Sequence, residues 1–196
     1  MKADRVRLGD LCSVKTGAPM SRAKKLSSGD APVTVSVLVP KAIEDARIAD
    51  DYLIEETVSN VKDDLFTQEG DVVLKASTPY DHVYIDGKHT GLLVTSFGLI
   101  LRKRPEANID MRYLAAYFSM PQMTITLQYL SKGMTLQLLK KKDVEELSIL
   151  LPPSANQERL GRLFACVQER KRQCREVMEK SDLLLFSELS REIRDT

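Results

Sequence analysis

The chain has 196 residues, 43% of them hydrophobic and 29% charged, with a formal net charge of +1. That length suits one domain of ordinary size plus an appendage, and the composition excludes wholesale disorder. No apolar run approaches the ~20 residues needed to span a bilayer. The charged start has no signal-peptide core, so a cytoplasmic protein without membrane contact is expected.

The near-zero net charge conceals segregation. Between Glu44 and Asp71, ten acids face only Arg47 and Lys62, whereas Val72 to Lys142 carries ten bases and four acids. Met1 to Ile43 is basic as well. The distribution permits one basic face, and it equally permits charge solvated all over the surface. Cys12, Cys166 and Cys174 are odd in number and lack C-x-x-C spacing. They are expected to be structural or incidental thiols, not metal ligands or disulfides.

In chain order, Arg5 to Leu11 alternates and breaks at Gly9-Asp10, as a short strand entering a turn does. Ala18 to Lys25 is a polar loop carrying Arg22, Lys24 and Lys25. Val33 to Val39 alternates between Pro32 and Pro40, which predicts a strand. Glu44 to Asn60 is acidic and weakly periodic, with a short strand expected around Tyr52 to Ile54. Asp71 to Lys75 is a buried strand launched from a Gly-Asp turn. His82 to Ile85, Asp86-Gly87-Lys88 and Leu92 to Thr95 read as strand, turn and returning strand of a hairpin. Phe97 to Arg102 is another apolar strand. Asp110 can cap a helix to Met120 that gathers Tyr113, Leu114, Tyr117 and Phe118 on one side. Met123 to Leu130 is apolar at helical spacing, Ser131 to Gly133 is a turn, and Leu136 to Lys142 is a short basic segment.

Leu147 to Leu151 is a final short strand, stopped by Pro152-Pro153, neither of which can donate to a sheet ladder. Ser154 lies three residues before Gln157, the spacing of a capping box. Beyond it Leu160, Leu163, Phe164, Val167, Cys174, Val177, Met178, Leu184, Leu185, Leu189 and Ile193 recur at gaps dominated by three, four and seven, as on an amphipathic or coiled-coil helix. Forty helical residues make a rod of ~60 Å. A 150-residue globule is only about 40 Å wide, so the helix must project and its apolar stripe calls for a partner. The expected architecture is an α+β, strand-rich domain over residues 1–153 and one long helix over residues 154–196.

Three clusters bear on chemistry. Ser77-Thr78-Pro79-Tyr80 is a degraded copy of the Asp/Asn/Ser-Pro-Pro-Tyr loop of amino-methyltransferases, with Thr78 in place of the first proline. No glycine-rich segment for S-adenosylmethionine accompanies it, so a polar or DNA-touching loop at a strand end is the better reading. His82 and His89 lack neighbours at metal or nucleophile spacing, and the adjacent acids Glu55-Glu56 and Asp63-Asp64 would point to opposite strand faces. Ser131 to Lys142 combines a glycine turn, hydroxyls, Gln137 and four lysines, which can grip phosphates and read a base edge. Alone, such a lysine run is more often a solvated face than a DNA contact.

Together the pattern resembles one half of a type I restriction-modification specificity subunit. Val6-Arg-Leu-Gly-Asp-Leu-Cys-Ser-Val-Lys-Thr-Gly17 is similar to that family's domain start, and Gly70-Asp-Val-Val-Leu74 to its internal Gly-Asp strand. Asp110 to Phe118 is similar to its Asp-x-x-Tyr-Leu helix, and Ser131-Lys-Gly-Met-Thr-Leu-Gln137 to its small-residue turn. Leu147 to Leu163 carries its most specific signature, an apolar-Pro-Pro-x-x-x-Gln run before a spacer helix. The resemblance implies a non-catalytic target recognition domain without cofactor or metal. It would read one half of a split double-stranded DNA target and dock methyltransferase subunits, and through them a restriction subunit. Because the chain holds one recognition domain and one helix, two copies are expected to pair as a homodimer through the stripe. The DNA-binding residues expected are Arg22, Lys24, Lys25, Lys75, Ser77, Thr78, Tyr80, Lys132, Thr135, Gln137, Lys140 and Lys141, with Tyr80 and Gln137 as base readers. The alternatives are a protein that binds methyltransferase subunits without reading DNA and, third, an amino-methyltransferase.

Overall fold

A computed structural model describes residues 4–23, 32–131 and 138–194. The chain opens with β1 (Asp4–Arg7), α1 (Leu8–Leu11), β2 (Cys12–Thr16) and α2 (Met20–Ala23). Then follow β3 (Val33–Leu38), β4 (Ile43–Glu44), β5 (Arg47–Ile48), β6 (Ile54–Val58), β7 (Val72–Lys75), β8 (His82–Tyr84), β9 (Leu93–Val94) and β10 (Gly98–Lys103). Three helices, α3 (Met111–Phe118), α4 (Pro121–Leu130) and α5 (Lys141–Glu145), lead to β11 (Ser148–Leu151) and α6 (Ser154–Arg194).

The central sheet is antiparallel in the order β2-β10-β7-β8. Its middle strands read as continuous apolar runs because both faces are covered. Val72, Leu74, Leu99 and Leu101 point into a core shared with α1, α3, α4 and β11. Val73 and Ile100, one residue out of step, point the other way, against Leu38, Ile43, Ile48, Val83 and Ile85. The period of two along a strand thus feeds two cores from one sheet. The Gly-Asp launch of β7 has a structural cause. Gly70 takes φ +89°, and Asp71, almost wholly buried, accepts two bonds from Arg102 at 2.9 and 2.7 Å and one from the Gln68 amide at 2.8 Å.

The hairpin expected between His82 and Thr95 is not formed. β8 pairs with β7, and β9 runs parallel to β3 through Val37↔Leu93 and Leu38↔Val94. Asp86 accommodates the departure: its carboxylate accepts from the Lys88 and His89 amides, capping a 3-10 turn over Gly87–His89 that carries the chain off the sheet toward β3. The acidic stretch holds more strand than expected, with β4 and β5 forming a tight hairpin and β6 pairing along β3 from Val33↔Val58 to Val37↔Ile54. Gly9-Asp10, read as a turn, lies in α1, with a glycine where a Cβ would meet the Glu145 carbonyl at 3.0 Å.

β11 returns to β1, with Val6 opposite Ile149, so both ends of the domain close on one ribbon. α6 is 41 residues long, about 60 Å at ~1.5 Å per residue. Gln157 and Gly161 are its buried residues, where it lies on α3; beyond Glu176 every described residue is exposed.

Candidate nucleic-acid interface

The antiparallel registers place the ends of four strands together: Thr16 of β2 opposite Leu99, Gly98 opposite Lys75 of β7, and Leu74 opposite His82 of β8. The loops that leave this end are stitched by backbone hydrogen bonds. The Ala18 amide donates to the Val94 carbonyl at 2.7 Å, and the Ser96 amide to the Ala18 carbonyl at 2.8 Å. The Ala76 amide donates to the Phe97 carbonyl at 2.8 Å, and the Leu139 amide to the Ala76 carbonyl at 2.7 Å. Gly17 permits this closeness, since a Cβ there would lie 2.2 Å from the Thr95 carbonyl oxygen. Four segments far apart in sequence therefore form one platform.

Of the expected residues, the half-buried Ser77 and the exposed Thr78 follow Ala76 of this platform, the exposed Lys140 follows Leu139, and the exposed Arg22 lies in α2, four residues after Ala18. Lys141 opens α5 and is 3.5 Å from Glu145. Lys24, Lys25, Lys132, Thr135 and Gln137 lie outside the described residues. Two expectations need correction. Tyr80, expected to meet a base, is buried, with its hydroxyl 2.5 Å from the Ser131 hydroxyl. It pins the loop to the end of α4, and its φ of +60° closes the tight turn marked by the Tyr80 amide donating to the Ser77 carbonyl. Lys75, expected at a phosphate, points inward instead, donating to the Ile43 carbonyl and to Asp81, each at 3.0 Å. A cation with two such fixed acceptors gains little by turning to solvent.

Phe97 was missed as a surface residue. Its apolar run suggested burial, yet it is half exposed at the tip between Ser96 and Gly98. The signal available was its place ahead of the first strand residue, next to glycine. His82, by contrast, is a core residue: it bonds the Ala115 carbonyl at 2.8 Å and packs against Phe118, and burial lowers its pKa to about 4. Cys12 is an inert thiol, pushed up to about 12 by burial and lying 3.8 Å from the Met111 sulfur. Among the described residues no group of three or more His, Cys, Asp or Glu is arranged to hold a metal, and no helix is long and apolar enough to cross a membrane.

The elbow at Pro152-Pro153 departs from a capping box. The Ser154 hydroxyl pairs with the Asn108 side chain at 2.9 Å, and the Gln157 amide donates to the Pro153 carbonyl at 3.1 Å. The Gln157 side chain turns into the domain. Its Oε1 accepts from the Asp110 amide at 2.9 Å, while its Nε2 donates to the Pro152 carbonyl at 2.8 Å. Asp110 in turn caps α3 through the Arg112 and Tyr113 amides. Gly161 completes the joint, because a Cβ there would lie 2.9 Å from Asp110 Oδ1 and 3.1 Å from the Tyr113 nitrogen. Nε2 also reaches the Asn108 carbonyl at 3.4 Å, and a buried amide that bonds three backbone groups outweighs a cap that water could replace.

On α6, Phe164 packs against the domain core and Leu160 is half buried. Leu163, Val167, Cys174, Val177, Met178, Leu184, Leu185 and Leu189 are all exposed, as are Leu183, Phe186 and Ile193.

Comparison with known proteins agrees with this anatomy. Residues 2–168 match the family model described as the type I restriction modification DNA specificity domain. No curated protein matches the chain. Among solved structures, the chain is similar to the HsdS subunit from Thermoanaerobacter tengcongensis, at 17% identity and a TM-score of 0.62, covering 90% of this chain and 44% of that one. It is also similar to a chain from a study titled as the structural basis of complex assembly and conformational transition of the type I R-M system. There the identity is 17% and the TM-score 0.60, over 92% of this chain and 45% of that one. A type I restriction-modification S subunit from M. genitalium gives 13% and 0.55, over 88% and 41%. The chain thus spans less than half the length of these solved relatives. With a family match over most of its length and a shared fold, it belongs to the type I restriction-modification DNA specificity domain family.

Proposed function

We propose that this chain reads one half of a bipartite DNA target through the platform at the end of the central sheet. α6 is its spacer, and it pairs with a second copy to place two platforms at a set distance. The observation that carries the reading is the convergence of four loop segments, bearing Arg22, Ser77, Thr78, Phe97 and Lys140, on one strand-end surface. Arg22, Lys140 and Lys141 contact phosphates, joined by Lys24, Lys25 and Lys132. Thr135 and Gln137 supply the polar base contacts, and Phe97 supplies an apolar one. Pairing is supported by the exposed stripe from Leu163 to Ile193, which a solvated helix would not carry. The same paired α6 helices are the surface for methyltransferase subunits, and through them a restriction subunit.

The test is titration of duplex DNA carrying the cell's methylated split motif, at several salt concentrations, with sedimentation of the same samples. A Lys140→Ala/Lys141→Ala variant should lower the logarithmic salt slope by about 2, at ~0.9 per lost phosphate contact. An unchanged slope refutes this face. Binding of methyltransferase subunits with no sequence preference would favour the alternative of a partner-binding protein that does not read DNA. A monomer at tens of micromolar would refute pairing.

A further inference from the structure

The turn between β4 and β5 has no part in the platform or the elbow, yet it reaches the helix. Asp45 accepts from Lys171 at 2.8 Å through Oδ1 and from Arg175 at 3.1 Å through Oδ2. Lys171 and Arg175 are four residues apart and so share a face of α6. We propose that Asp45 is a strut: it holds α6 at a second point and thereby sets the direction of the spacer, and with it the separation of the two DNA half-sites.

The backbone is shaped for this contact. Asp45 and Ala46 have φ of +47° and +57°, both in the left-handed region that a two-residue I′ hairpin requires. Alanine is rarely accepted there, so the turn keeps an unfavourable conformation that aims the carboxylate at the helix. The hairpin beneath is firmly rooted. Ile43 and Ile48 are buried in the second core, and Lys75 ties the Ile43 carbonyl to Asp81. Burial raises the Asp45 pKa, but the hydrogen bonds and charges of Lys171 and Arg175 more than offset it, holding the carboxyl below its ordinary range.

Exposed ion pairs contribute little to stability, so the value of this one is geometric. Gly161 is the first fixed point of α6, and Asp45 meets the helix ~15–20 Å further on, at ~1.5 Å per residue. With the first point alone, the remaining lever to Arg194 is ~50 Å, and a tilt of about 10° moves its end by ~9 Å, or between two and three base pairs at ~3.4 Å each. With two points, the tilt is suppressed.

The inference rests on α6 acting as the spacer, and one arm of the test needs no DNA. In a Cys166→Ser/Cys174→Ser background, spin labels at Glu106→Cys and Ser190→Cys, diluted with unlabelled protein, report the distance from domain to helix end. The parent should give one narrow distribution and Asp45→Asn a distribution at least twice as wide. Asp45→Lys should widen it further, and Asp45→Lys/Lys171→Glu/Arg175→Glu should restore it. Selection from duplexes of random spacer length should then show a preference for one spacer in the parent and tolerance of two or three more in Asp45→Asn. An unchanged distance distribution overturns the strut. A widened distribution with unchanged spacer preference overturns its role in half-site separation, while loss of all duplex binding by the parent would refute DNA reading and leave the distance result standing.

Discussion

Gln157→Leu tests the elbow most directly. Gln157 is 2% exposed, and its side chain satisfies the Asp110 amide and the Pro152 carbonyl. Leucine fills similar space but leaves both groups without that partner, at about 1–3 kcal/mol for each buried group. Some of this is recovered by apolar burial and by water reaching the half-buried Pro152, so the expected loss is about 2–3 kcal/mol. For a chain of this length, that lowers Tm by about 5–10 °C, read by calorimetry or by the urea midpoint at constant slope. Ser154→Ala is the control. Its hydroxyl pairs with Asn108 at the surface, so a loss of less than about 1 kcal/mol is expected. If the two substitutions cost the same, or Gln157→Leu costs less than about 0.5 kcal/mol, the joint is an ordinary helix cap and the reasoning fails.

Two other outcomes follow from the same packing. His82 has its folded pKa lowered to about 4 by burial, against an ordinary value near 6.5. The unfolded chain therefore binds the proton first, and His82 contributes on the order of 3 kcal/mol that is present above about pH 6.5 and lost as pH falls toward 4. Urea midpoints across that window should show the slope, and His82→Gln should flatten it. Phe97→Ala should weaken duplex binding roughly tenfold without altering the salt slope, since an apolar contact releases no counterions. A changed slope would mean that the substitution disturbed the phosphate contacts instead.

Elements whose own pattern is set by neighbouring residues were legible. β7 and β10 announce themselves by unbroken apolar runs, α3 by the Asp110 cap and one-sided apolar residues, and the elbow by Pro152-Pro153. The 82–95 region misled because Asp86-Gly87-Lys88 suits either a hairpin turn or a capped 3-10 turn, and only the distant β3 decides between them. Within the candidate site, the sequence marked the loops between strands but not which of their side chains face outward. Tyr80 and Lys75 have the chemistry of DNA contacts, yet Ser131, Asp81 and the Ile43 carbonyl, brought close by folding, hold them inward.

By itself, the sequence determined the family signature, the α+β alternation of elements, the elbow and a helix too long for its own domain. These are properties of spacing, hydropathy and backbone chemistry within a few residues. Tertiary structure alone decided that Gln157 latches α6 to α3, that Phe97 stands on the platform, and that an aspartate 126 residues before Lys171 bonds to the helix. Each is a contact between segments remote in the chain, and a one-dimensional pattern carries no term for the side chains that folding places opposite one another.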